Sequence, residues 1–156
     1  VGLYWRGLTH DLSKYSPTEF WRGAKYYQGT FSPTQQERRE KGYSLAWMHH
    51  KGRNRHHFEY WMDYNMEKRR YEPVEMPVRF VAEMFCDRVA ASKIYNPDTY
   101  NDSFPLEYFR RGKSHRIING KTSDLLEELL VMLSEKGEDE TFAYLKALVK
   151  ASRGNK

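Results

Sequence analysis

Four of the six histidines in this chain fall in the stretch "MHHKGRNRHHFEYW", as His49, His50, His56 and His57. Further upstream, "THDLSKYS" sets His10 beside Asp11, with Lys14 three residues on. An imidazole nitrogen and a carboxylate oxygen at adjacent positions suit Zn, Mn or Fe better than Ca. On a helix, Lys14 is close enough to reach an anion held by such a metal. A third acidic candidate, Asp87, lies in "EMFCDRVAASKIY". A helix beginning at Pro77 puts Phe80, Met84, Ala90, Ala91 and Ile94 on the same face as Asp87. A carboxylate in an apolar stripe is costly unless it is paired or metal-bound. Arg88 points about a quarter-turn away and offers one neutralising partner, and Glu83 flanks the same face.

Each unit also has an ordinary reading. His10 and Asp11 could be a hydrogen-bonded surface pair, and Asp87 could sit in a structural ion pair. With Arg53 and Arg55 between them, the four clustered histidines could form a solvated basic patch. On one continuous helix His49 and His56, or His50 and His57, would share a face. Gly52 and Asn54 favour a break instead, with one histidine arriving from each side. Adjacent side chains diverge, so one of each pair would bind a metal. The other would hydrogen-bond a substrate or orient a ligand.

The elements that must position these groups read as helices throughout. "SPTEFWRGAKYY" opens with Ser16 as N-cap, Pro17 at the first position and Glu19 closing a capping box. "SPTQQERREKGYSLAWMHH" repeats the device with Ser32, Pro33 and Gln35 and is expected to run towards His50. Asn54 is expected to cap a helix over 56–65. After a polar connection, Pro77 starts a helix to about Tyr95, followed by a short helix near "PLEYFRR". Two amphipathic helices over 123–134 and 139–152, separated by Gly137, close the chain, and residues 153–156 read as a frayed tail. No stretch shows convincing strand alternation. The expectation is all-α, one compact helical domain over 1–156.

Composition narrows the class. Hydrophobic residues make up 39% of the 156, enough for a core, and the 15% aromatic share means that many ring hydroxyls and indoles need partners. The net charge of +5 favours anionic ligands without separating nucleotide from nucleic acid. A lone cysteine, Cys86, excludes an internal disulfide and points to a reducing compartment, the cytoplasm. No apolar run is long enough for a membrane span and no signal-peptide pattern opens the chain.

The order His-Asp, separated histidines, then a helical Asp resembles the HD-domain superfamily of metal-dependent phosphohydrolases. "HDLSK" is similar to its His-Asp motif with trailing lysine, and "CDRVAASKIY" to its later helix. Taken together, "GLTHDLSKYSPTEF", "HHKGRNRHHFEYW" and "EMFCDRVAASKIYN" are closer still to an uncharacterised bacterial and phage family of HD-like proteins. This resemblance spans about Gly7 to Asn96. It implies an HD-like helical domain in which His10, Asp11 and Asp87 bind a metal, with Asp11 as the bridge if there are two. His50 and His56 would serve the second metal, with His49 and His57 as close alternatives. Lys14 would face substrate phosphate. The resemblance also implies another histidine on a helix upstream of the pair, and none of the nine residues before His10 is a histidine.

The expected activity is hydrolysis of a nucleotide or other small phosphoester, with one or two divalent metals (Mn, Fe, Zn, Co or Ni) and a metal-activated water as nucleophile. Lys14, Arg53 and Arg55 would stabilise the phosphate, Tyr60 would stack a base, and His49 or His57 would move a proton. Arg6 and Tyr15 are further pocket candidates. An HD-like di-iron oxygenase would use the same ligands. A non-catalytic nucleotide- or anion-binding module with a structural metal would use the charge of Lys68–Arg70 and Arg110–Arg116. No helix-turn-helix motif supports nucleic acid as the favoured partner.

Overall fold

The computed structural model describes residues 2–29 and 31–154. The chain is mostly helical, in the order α1 (Tyr4–Thr9), α2 (Pro17–Lys25), α3 (Pro33–Lys41), α4 (Leu45–Lys51), a hairpin of β1 (Met62–Asn65) and β2 (Arg70–Pro73), α5 (Val78–Tyr95), α6 (Phe104–Arg111) and α7 (Gly120–Gly154). Short 3-10 turns at Leu12–Tyr15, Phe58–Tyr60 and Lys113–His115 connect them. Among the described residues no helix is long and apolar enough to cross a membrane.

The apolar core is built by α5, α6 and α7. Phe80, Val81, Met84, Phe85 and Val89 of α5 bury against Phe109 of α6 and Leu126, Leu129, Leu130, Leu133, Leu145 and Val149 of α7. Gly137 interrupts α7 at φ 77°, a backbone state that glycine adopts without the Cβ penalty. The hydroxyl of Tyr144 reaches Glu128, 16 residues back, at 3.0 Å. On a straight helix those residues would stand about 24 Å apart. The chain therefore folds back at Gly137 into two arms, 120–136 and 138–154, as the amphipathic pattern predicts. The second arm is helical to Gly154, which takes in the first two residues of the expected tail; 155–156 lie outside the described residues.

Two expectations fail for identifiable reasons. The helix expected from Ser32 to His50 ends at Lys41, where Gly42 takes a left-handed φ of 79°. Ser44 then caps α4 by accepting from the Trp47 N–H at 3.0 Å. The agent is Glu37, fully buried in α3, which accepts from Ser44 Oγ (2.7 Å), the Ala46 N–H (3.3 Å) and Arg22 Nη1 (2.6 Å). Its carboxylate gathers the start of α4 and the side of α2 onto α3. Burial alone would raise this carboxyl; the donors outweigh it and hold it below the usual range.

The helix expected over 56–65 is absent. Asn54 folds back to donate to the His50 carbonyl (2.9 Å) instead of capping a following helix. Residues 62–73 pair as an antiparallel hairpin, Tyr64 opposite Tyr71. Asn65 makes its turn, accepting from the Glu67 and Lys68 N–H groups, and Arg69 takes a positive φ of 51°. The chain is thus mostly helical rather than all-α. Trp61 packs its ring on core Phe80 at 5.4 Å between centroids.

Candidate metal centre

Three segments converge on Asp11. The turn after α1 carries His10 and Asp11, the end of α4 and its following loop carry the clustered histidines, and the middle of α5 carries Glu83 and Asp87. Asn54 joins the first two, donating to Ser13 Oγ at 2.8 Å as well as to His50.

The two oxygens of Asp11 face different neighbours. Oδ2 lies 3.4 Å from His10 Nε2 and 2.5 Å from Lys14 Nζ. Oδ1 lies 3.4 Å from His50 Nε2 and 3.8 Å from His56 Nε2. Asp87 completes the first side, its Oδ1 3.9 Å from His10 Nε2. Two groups of donor atoms result: His10, Asp11 and Asp87 in one, His50, His56 and His57 in the other. Within each, the atoms lie within 4.8 Å of one another. Burial tends to raise the Asp11 carboxyl, but the Lys14 ammonium outweighs it, with His10 and His50 adding to the lowering. Asp11 is therefore an anion at neutral pH.

Hydrogen bonds on the far sides of the rings set where their lone pairs point. His10 Nδ1 donates to the Gly7 carbonyl at 2.8 Å, which leaves Nε2 as the basic nitrogen facing Asp11 and Asp87. Glu19 accepts from His49 Nδ1 at 2.6 Å through one oxygen and from His50 Nδ1 at 2.8 Å through the other. His50 thereby presents an unprotonated Nε2 to the cluster. Behind His56 stands Glu83, 3.5 Å from Nδ1, itself held by Arg6 Nε at 2.6 Å. Carboxylates placed behind imidazoles in this way orient metal ligands and raise their basicity.

The residues fit a cation by the test of their orphaned atoms. Asp11 Oδ1 and both ring nitrogens of His56 are buried without a hydrogen-bond partner. A buried polar atom left unpaired is costly, and with His56 Nδ1 facing Glu83, Asp11 Oδ1 and His56 Nε2 remain as two unpaired acceptors 3.8 Å apart on adjoining residues. His50 Nε2 and His57 Nε2 meet head to head at 2.9 Å. Since His50 Nδ1 keeps its proton on Glu19, His57 must be the donor in that contact. Burial, with His56 and His50 alongside, pushes the His57 imidazole down to about 2, so it stays neutral.

A cleft of about 220 Å³ opens beside this centre, bounded by His10, His56 and Glu83 and by the guanidinium-bearing residues Arg6, Arg53 and Arg55. Arg6 is committed to Glu83, whereas Arg53 and Arg55 have no carboxylate partner among the described residues. Arg55 lies 5.7 Å from the centre of the Tyr60 ring; Tyr60 stands outside the cleft lining. His49 stands outside both donor groups, tied to Glu19. Tyr15 is exposed and does not line the cleft.

The expectation for Asp87 needs correction. Its helix face is apolar and buried only at Phe80 and Met84; Ile94 is 74% exposed, and Asp87 itself is half-buried. The stripe leaves the core just where Asp87 meets His10, so the carboxylate does not suffer the burial its neighbours in sequence suggest. Arg88 turns the other way and forms no ion pair with it among the described residues.

Glu19 is the site residue that sequence reasoning assigned elsewhere. Ser16 does accept from the Glu19 N–H at 3.4 Å, but the Glu19 side chain turns to the histidines instead of closing a capping box. A glutamate three residues after an N-cap serine carries the same letter in either role. Its burial among hydrogen bonds from His49, His50 and Ser13 holds its carboxyl low although desolvation alone would raise it.

All of these residues fall inside one family match. No curated protein and no solved structure matches the chain. Over residues 1–132 it matches the model of DUF5662, a family of unknown function, and it belongs to that family.

Proposed function

We propose that this protein is an HD-like, metal-dependent phosphohydrolase acting on a nucleotide or another small phosphoester. The observation that carries the reading is the carboxylate of Asp11, with one oxygen towards His10 and the other towards His50 and His56, beside an arginine-lined cleft. His10, Asp11 and Asp87 would hold one divalent transition metal, and His50, His56 and His57 a second, with Asp11 between them. Such ions supply Lewis acidity to phosphate oxygens and lower the pKa of water. Lys14 stands on the Asp11 side and Arg53 and Arg55 on the cleft side, so a phosphate there meets positive charge from two directions. His57, kept neutral by its burial, would be taken up by that second metal, while His49 acts on His50 only through their shared Glu19. The single free cysteine accords with a reducing compartment, the cytoplasm.

Free guanidinium groups favour phosphate over dioxygen as the substrate, which ranks hydrolysis above the di-iron oxygenase chemistry the same ligands can support. Elemental analysis of protein purified without chelator should find one or two equivalents of transition metal. Asp11→Ala should remove it, and His115→Ala, far from the site in sequence and charge, should not. With manganese, a panel of nucleotides should yield phosphate release that Asp11→Ala abolishes. Full metal content in Asp11→Ala would sink the ligand assignment. Bound iron with an oxygen-dependent absorption change and no phosphate release would move the reading to the oxygenase.

A further inference from the structure

The whole of the net charge resides in the first part of the chain. Residues 1–60 hold ten Lys and Arg against five Asp and Glu, whereas residues 61–156 hold sixteen of each. Four of those five acids are turned inward or spent: Asp11 on Lys14, Glu19 on the histidines, Glu37 on Arg22, and Glu59 with a buried carboxylate oxygen. On the outer faces of α2 and α3, Lys25, Arg38, Arg39 and Lys41 are exposed and have no carboxylate within 4.0 Å among the described residues. By contrast, the basic runs that looked suited to a polyanion in sequence are partly neutralised. Lys68 and Arg70 pair with Glu72, and Arg110 and Lys113 with Glu127.

A second cleft, about 510 Å³, lies between α2 and α3. Its floor is Tyr26, buried at 3% exposure, and one wall is Trp21, a residue 68% exposed. The Lys25 and Lys41 ammonium groups both line it and stand 5.4 and 5.9 Å from the centre of the Tyr26 ring. Two like charges brought to one ring without a counter-charge repel each other, and an anion between them reverses the sign of that interaction. An exposed indole beside the pair offers a flat face at which a planar base can stack. Glu19 leaves the opposite side of α2 towards the histidines, so this cleft is separate from the metal centre.

We infer that the α2–α3 cleft binds single-stranded nucleic acid, with a phosphate between Lys25 and Lys41 and a base stacked on Trp21. Aromatic platforms interleaved with backbone-tracking cations are the common means of holding a single strand without sequence preference. Arg39, over the Phe31 ring at 4.6 Å, and Arg38, over Trp47 at 5.4 Å, continue the same alternation along α3.

The test is fluorescence anisotropy of a labelled oligothymidylate of about 20 nucleotides with the full chain at low salt, a length covering the usual 4–16-nucleotide footprint. Binding should weaken as salt rises. The double variant Lys25→Glu/Lys41→Glu should lose at least about tenfold in affinity and flatten the salt slope by about 0.7, the value for one phosphate contact on a single strand. Trp21→Ala should lose about tenfold with the slope unchanged, because stacking is not ionic. Lys146→Glu, an exposed lysine in the second arm of α7, should bind as the parent does. Asp11→Ala should also bind normally, which keeps this result independent of the metal centre. Circular dichroism checks that each variant is folded. No binding, unchanged binding by the double variant, or indifference to Trp21→Ala would overturn the proposal. So would competition by polyglutamate at equal charge as strong as by unlabelled oligothymidylate, which would assign the surface to acidic proteins.

Discussion

Residues 1–60 and residues 61–154 are held together by different means. The later part carries every fully buried member of the core cluster, from Met76 to Val149. The earlier part buries Glu19, Glu37, Ser44, His50, Asn54 and His56, while Tyr4, Trp5, Leu8, Tyr15, Trp21 and Tyr27 remain largely exposed. In the first region, directional hydrogen bonds and ion pairs fix the geometry; in the second, apolar burial does. A metal centre would need its ligands held to about half an ångström, which hydrogen bonds behind the ligands accomplish together with packing. The helical layer of α5 to α7 supplies the stability on which that polar assembly rests.

The contrast can be broken from either side. Leu133→Ala, at a site with no exposure, should cost about 2–5 kcal/mol in urea denaturation. Hydrogen exchange should then rise in α5 and both arms of α7 together; a rise confined to α4 would show that the core is not the common support. Glu37→Ala should cost less, about 1–3 kcal/mol, because Arg22, left without its partner, is partly exposed and can hydrate. Its exchange signature should centre on the α3–α4 corner. A loss spread evenly over the molecule would contradict the division.

Glu19→Gln keeps the shape of the side chain and removes the charge behind His49 and His50. Metal affinity should fall about 10- to 100-fold with little change in thermal stability, the usual cost of losing such a carboxylate. An unchanged affinity would mean that Glu19 serves only the fold. The pH response sharpens the same point. His57 is depressed to about 2, so between that value and its ordinary 6.5 the unfolded chain takes up a proton that the native protein refuses. Stability of chelator-treated protein should therefore decline as pH falls below about 6.5, by up to about 1.4 kcal/mol per pH unit. The lowered carboxyls of Asp11, Glu19 and Glu83 contribute stability above the ordinary carboxylate values, lost as pH falls through their depressed ones. His57→Asn should remove the part between pH 6.5 and about 4.5; identical melting profiles there would disprove its role. Smallest of all, Arg110→Ala breaks an exposed pair with Glu127 and should change stability by no more than about 0.5 kcal/mol in the same urea titrations.

The parts of the fold legible in the sequence were those governed by local chemistry. Ser16–Pro17, Pro77 and Gly137 act within a turn or two, and each marks an element boundary where expected. The missed boundaries depend on distant partners. Gly42 and Ser44 do carry the local marks of a helix end and a new cap, but the apolar run "LAWM" beyond them reads as continuation. It is Glu37 accepting from Ser44 that settles the break. The hairpin hides because its strands are four residues long, and Asn65, which makes its turn, reads in sequence as the end of a helix. At the site, residue types were enough to nominate His10, Asp11, the clustered histidines and Asp87, which the fold brings together around Asp11, except His49. Which nitrogen of each ring is free depends on Gly7, Glu19 and Glu83, whose side of the argument no spacing rule reveals.

The head-to-head contact of His50 and His57 has a kinetic consequence. The His57 ring is wedged between Trp47, at 4.8 Å, and His56, at 4.2 Å. For His57 to offer Nε2 to a cation, its proton must transfer to Nδ1 and the bond to His50 must open. Both changes take place inside a packed aromatic stack. Uptake of an ion on that side would thus be an activated event that trails diffusion, while the side formed by His10, Asp11 and Asp87, half-open to solvent, would fill first. Loading followed in time should resolve into a fast phase and a slow one, and His57→Asn should change only the slow phase.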